Sequence, residues 1–149
     1  LCYLFIGAAV VFLFFRKFRQ GGAAMCGAIL LSLLVGNLLL KNLVARDRPC
    51  WIDPDFLQLL VSVPKDFSFP SAHTMISVSA AAALFHYSKA LGIPALVIAA
   101  LVGFSRLYLF VHFPTDVLVG AVIGVLLAVV SCIVTDKIVA RIKSKKAVN

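Results

Sequence analysis

Charge is scarce in this sequence. Only 13% of its 149 residues are Asp, Glu, Lys or Arg, where a soluble domain carries about a quarter. With 62% hydrophobic residues and a mean hydropathy of +1.07, that deficit excludes an ordinary soluble domain and points to a chain solvated by lipid. Strict apolar–polar alternation is missing too, which leaves helices, not a barrel, as the way to satisfy a backbone in a bilayer. No linker, repeat or low-complexity stretch divides residues 1–149, so they read as one domain. The four cysteines (Cys2, Cys26, Cys50, Cys132) show no regular spacing and no C-x-x-C, which argues against a disulfide framework. In or near apolar spans, cysteine behaves as a small hydrophobe. No basic segment precedes the first apolar run, as a signal peptide would require. The cluster Arg16-Lys17-Phe18-Arg19 follows it instead. That run reads as a helix already under way at residue 1, in a protein whose complete form has six.

What the chain does have is charge-free stretches, at 1–15, 20–40, 67–88, 90–105 and 117–135. A bilayer core about 30 Å thick takes roughly 20 helical residues to cross. The expected spans are 1–15, 23–44, 71–88, 93–109 and 113–135, an all-α integral membrane bundle of five visible transmembrane helices. The long connection 45–70 holds Pro49, Pro54, Pro64 and Pro70 and most of the acids, with Trp51 as an interfacial anchor. A short surface helix is expected at 56–60. Threading the loops alternately puts nine Lys and Arg against one Asp on one side, and five against five on the other. The whole net charge of +8 then lies on one face, which marks it cytoplasmic. The C-terminus is expected inside, and the 41–70 and 110–114 loops outside. Such placement assigns the excess charge to topology, so the expected partner is the bilayer and not nucleic acid.

The polar residues gather at the outer face. Lys41 and Arg48 lie seven residues apart, close to two turns and one face if helical. Ser71 and His73 open the third span behind Pro70, and Arg106 lies near the outer end of the fourth. His112 and Asp116 stand at i and i+4, where a carboxylate can orient the ring and fix its tautomer. Pro114 suits the first turn of a helix. Helix N-termini beside Lys41, Arg48 and Arg106 form an anion cradle. Taken singly, each cation reads as a snorkelling side chain at a helix end, and a lone histidine as structural. A serine, two histidines and an aspartate converging with three cations are not explained that way. His73, His112 and Asp116 as metal ligands is the competing reading. Three nearby cations oppose a divalent ion, and no H-E-x-x-H or paired-carboxylate motif is present. His86 reads as structural, and Ser32, Asn37, Ser77 and Ser79 as helix-packing polar groups.

K-N-L-V-A-R-D-R-P at 41–49, P-S-A-H at 70–73 and S-R-L-Y-L-F-V-H-F-P-T-D at 105–116 match, in order, K-x6-R-P, P-S-G-H and S-R-x5-H-x3-D. Together they resemble the type 2 phosphatidic acid phosphatase superfamily, which includes soluble acid phosphatases and vanadium haloperoxidases. The resemblance implies a membrane lipid phosphatase that needs no cofactor and no metal. It implies that His112 attacks phosphorus to form a phosphohistidine, that Asp116 supports it, and that His73 protonates the leaving oxygen and then activates water. Lys41, Arg48, Ser71, Ala72 and Arg106 would bind the phosphoryl oxygens. Ala72 stands where glycine is usual, and its backbone N–H is still free to donate. The implied substrates are phosphatidic acid, phosphatidylglycerophosphate or undecaprenyl diphosphate. A phosphotransferase with the same site, or an inactive membrane scaffold, stays open as an alternative.

Overall fold

The computed structural model describes residues 2–52 and 62–148. The surface helix expected at 56–60 lies outside them. Every element among the described residues is a helix: α1 (Cys2–Phe14), α2 (Arg19–Ser32), α3 (Lys41–Val44), α4 (Pro49–Ile52), α5 (Ala72–Tyr87), α6 (Lys89–Tyr108) and α7 (Pro114–Val148). A π-helical stretch, Leu33–Leu40, joins α2 to α3 without a break. Its wide turns show at the exit, where the Lys41 N–H bonds back to Gly36 O. Helix α3 stops at Val44 because Ala45 is left-handed (φ 46°), its N–H capping Lys41 O at 3.0 Å. The helical face expected to carry both Lys41 and Arg48 therefore ends before Arg48. The chain turns instead, and Arg48 reaches the same place from a loop.

Three of these helical segments are long and apolar enough to cross a membrane: Arg19–Ile52, Lys89–Tyr108 and Pro114–Lys146. Helix α5 has 16 residues and α1 has 13, both under the roughly 20 a full crossing takes. Helix α7 has 35 residues, about 52 Å at 1.5 Å each. It runs well past the expected end at 135, carrying the basic tail as helix. The chain is a multi-pass membrane protein. Its large apolar side chains face outward, among them Leu101, Phe104, Leu118 and Leu126, while the bundle interior is built of Ala9, Ala24, Ala28, Ala80, Ala81 and Ala83. Lipid and core are equally apolar, so what selects the inward face is how closely backbones can approach.

Helix α5 runs through the middle, packed against α1, α2, α6 and α7. Only Ser88 separates it from α6, so the two form a tight antiparallel hairpin. The contact with α7 uses Gly120 and Gly124, one turn apart. A Cβ on Gly124 would lie 2.8 Å from Met75 O, and one on Gly120 3.0 Å from Ser71 O. Interhelical hydrogen bonds add register: Ser32 Oγ donates to Ser79 Oγ (2.9 Å) and Ser131 Oγ to Ala24 O (2.8 Å). At the opposite end, Asp136 Oδ1 accepts from the Tyr87 hydroxyl at 2.7 Å and its Oδ2 lies 3.3 Å from His86 Nε2. Replacing Gly124 by Val should force α5 and α7 apart at a cost of about 1–3 kcal/mol. A lowered thermal midpoint in detergent, larger than for Gly7→Val, whose added Cβ meets nothing within 4 Å, checks it.

Candidate active site

At the end of the bundle where α5 begins, a cavity of about 260 Å³ opens between α1, the π-helical stretch, α5 and the loop before α7. Its polar lining includes Lys41, Arg48, Asp66, His73, Arg106 and His112, and its apolar lining Cys2, Tyr3, Ile6, Leu33 and Ile76. Polar residues up to 71 apart in sequence, Lys41 to His112, are brought to this one site where the loops meet above the helix ends.

Arg48 is the centre of that crossing. It is 3% exposed, and a buried guanidinium must find partners for its donors. Nε donates to Asp66 O (2.7 Å), Nη1 to Val111 O (2.8 Å), and Nη2 to Asp66 Oδ1 (2.8 Å) and Phe67 O (3.2 Å). Nη1 also lies 3.2 Å from His112 Nε2. Arginine offers donors only, so Nε2 meets it as a lone pair and the ring proton sits on Nδ1. That is the tautomer a nitrogen nucleophile needs.

On the other edge of the ring, Nδ1 is 3.3 Å from Ser68 Oγ and 3.7 Å from Asp116 Oδ2. Ser68 Oγ in turn donates to Asp116 Oδ2 at 2.5 Å. The carboxylate expected to hold the ring thus acts largely through a serine. Asp116 is fully buried and well compensated: the Phe113 N–H reaches Oδ2 (2.9 Å) and Arg46 Nη1 reaches Oδ1 (2.9 Å). Arg46 also lies over the Phe113 ring and donates to Thr115 Oγ1. The Asp116 main-chain oxygen accepts from the Ser71 N–H at 3.1 Å, which ties the starts of α5 and α7 together.

The remaining expected residues divide. Ala72 and His73 line the cavity in the first turn of α5, and Arg106 lines it from the end of α6. Ser71 does not face the cavity: it is fully buried, its hydroxyl accepting from Thr74 Oγ1 at 3.0 Å and making no cap bond. Among the described residues the Arg106 side chain bonds only its neighbour Ser105 Oγ. Lys41 pairs with Asp66 Oδ2. Arg46, Asp66 and Ser68 were not singled out from the sequence. For Arg46 and Asp66 the one signal was the charge tally of the outer face, where five cations meet five acids, and Ser68 had none. Among the described residues no three His, Cys, Asp or Glu side chains converge as a metal-binding group.

Burial pushes His112 below the ordinary histidine range and the Arg48 charge adds to this, with Asp116 opposing. Burial would raise Asp66, but its bonds and charge contacts with Lys41 and Arg48 outweigh that and hold it below the usual carboxylate value. Since folded His112 resists a proton that the unfolded chain accepts near pH 6.5, its contribution to stability is full above that pH and declines as pH falls below it. Nitrogen-15 NMR of the His112 ring at pH 7 should show the neutral Nδ1–H form. Replacing Ser68 by Ala should mix in the other tautomer.

The family model of the PAP2 superfamily matches residues 21–139. An undecaprenyl-diphosphatase of Sulfolobus acidocaldarius is 32% identical over 124 residues, covering 82% of this chain and 59% of that protein. Phosphatidylglycerophosphatase B of Bacillus subtilis is 37% identical over 136 residues, with 82% and 60% covered. The crystal structure of Aquifex aeolicus LpxE superposes with a TM-score of 0.73 at 31% identity, over 87% of this chain and 76% of that one. The chain spans about 60% of the length of the curated relatives it matches.

Proposed function

This chain belongs to the PAP2 superfamily, and on that premise we propose that it is a membrane lipid phosphatase working through a phosphohistidine on His112. The observation that carries the reading is the His112 ring, which lines a cavity bordered by Lys41, Arg48 and Arg106 with its Nε2 unprotonated and accepting from Arg48 Nη1. Phosphoryl transfer asks mainly for in-line positioning and for charge to stabilise the equatorial oxygens. The three cations and the first turn of α5, with the Ala72 and His73 backbone, supply both.

In the first step Nε2 forms a bond to phosphorus as the bond to the leaving oxygen breaks. His73 gives that oxygen its proton. The positive charge that develops on the His112 ring is met at Nδ1 by Ser68 and, through it, by Asp116. In the second step His73 takes a proton from water, the water oxygen bonds to phosphorus, and the P–N bond breaks. Ser71 braces the site by its N–H bond to Asp116 O. Since the cations do the electrostatic work, no metal enters the scheme.

The substrate is a lipid phosphomonoester or diphosphate, its head among the cations and its apolar part along Cys2, Ile6, Leu33 and Ile76. Phosphatidic acid, phosphatidylglycerophosphate and undecaprenyl diphosphate all meet that description. The charge asymmetry of the loops supports a site on the extracytoplasmic face with the C-terminus in the cytoplasm.

Phosphate release in detergent with EDTA, over those three lipids, tests this. His112→Ala should lower turnover by at least about 10³-fold and His73→Ala by about 10²–10⁴-fold. Release that ignores His112 would overturn the mechanism. Product in which phosphate has moved to an added alcohol, with none in water, would make the protein a transferase.

A further inference from the structure

Arg48 has five N–H donors, and the protein already engages every one. Three go to main-chain oxygens, of Asp66, Phe67 and Val111, and one meets the reactive nitrogen of His112. The last goes to Asp66 Oδ1 at 2.8 Å. The main-chain partners are fixed by the path of the loops. The Asp66 side chain is 55% exposed and is the one partner that can swing away without unravelling anything. Its second oxygen takes the Lys41 ammonium, and Asp66 itself lines the cavity.

One carboxylate thus sits on the two cations that the phosphatase reading assigns to phosphoryl oxygens, presenting paired anionic oxygens much as a phosphoryl group would. A phosphate anion cannot share those cations with it, because two negative groups a few ångströms apart repel. Arg106, which pairs with no carboxylate among the described residues, remains open to catch an incoming anion.

We infer that Asp66 is an internal occupant of the phosphoryl seat: its carboxylate bridges Lys41 and Arg48 in the empty site, and the substrate's phosphoryl group displaces it. Asp66 thereby sets how tightly the site holds any phosphate anion, substrate and product alike. Such an effect is uniform across bound states, so it moves KM and product inhibition together and leaves kcat largely in place. The inference rests on the phosphatase reading of this site.

The test uses inorganic phosphate as the probe. Its Kd is measured by titration calorimetry on the full-length protein in detergent, for wild type, Asp66→Asn and Asp66→Ala, beside KM and kcat on the best lipid. Both variants should bind phosphate at least about fivefold more tightly, with KM falling in step. In unmutated protein labelled with carbon-13 at aspartate carboxylates, phosphate should move the Asp66 resonance toward that of a free carboxylate. Unchanged or weaker phosphate binding in the variants, or an unmoved resonance, would overturn the inference and leave Asp66 as a brace for the two cations. Wild type that neither binds phosphate nor releases it from any lipid would sink the phosphatase reading as well. Wild type that does both, with variants no tighter, would remove Asp66 alone.

Discussion

A buried guanidinium has to be surrounded by acceptors, and the upper end of this molecule is arranged around that demand. Arg48 draws in the main chain at 66–67 and at 111, so the loop leading into α5 and the loop leading into α7 are held to a common point. Removing those contacts would leave a charge without partners in a place where water is scarce, a far larger penalty than an ordinary lost hydrogen bond. His112 is placed as a consequence. Its ring is set between Arg48 on one edge and Ser68 on the other, which fixes both its orientation and the position of its proton.

Asp116 is the counterpart of opposite sign. It is buried completely and reached by a hydroxyl, a backbone N–H and the Arg46 guanidinium, which is how a carboxylate survives away from water. The pair of hubs divides the work. Arg48 fastens the loops to each other, and Asp116 fastens the loops to the helices through the Ser71 N–H. Beneath them the bundle supplies rigidity from close backbone contact, with Gly120 and Gly124 bringing α7 against α5.

Much of this was legible in the sequence, for identifiable reasons. Charge-free runs locate helices in lipid because a buried charge is so costly there. Lys41, Arg48, His73, Arg106 and His112 were legible as one site because all fall at the same ends of alternating spans, and the structure lines one cavity with them. Hydropathy could not show the π-helical turns at Leu33–Leu40, since an apolar run looks the same in either helix. Nor could it give the helix ends: α5 holds 16 residues, and α7 continues as helix well past 135. The loops were the least legible. Arg46, Asp66 and Ser68 meet partners from 18 to 70 residues away, and nothing periodic in the sequence encodes such meetings. Ser71, placed in the cradle by its motif, is buried with its hydroxyl accepting from Thr74 Oγ1, a contact the motif does not encode.

The unequal hairpin of α5 and α6 sets the depth at which the site works. Helix α6 has 20 residues and α5 has 16, so with their joined ends level, α5 begins about 6 Å below the far end of its neighbour. His73, in the first turn of α5, is therefore set back by about that length from the end of α6 where Arg106 lies. For the lipid substrate proposed above, a site set among the helices allows arrival by lateral diffusion in the plane of the leaflet, without the lipid being lifted into water. The quantity that governs how often the site is visited is then the mole fraction of substrate among its neighbouring lipids, a two-dimensional concentration, with the volume of the surrounding solution almost irrelevant.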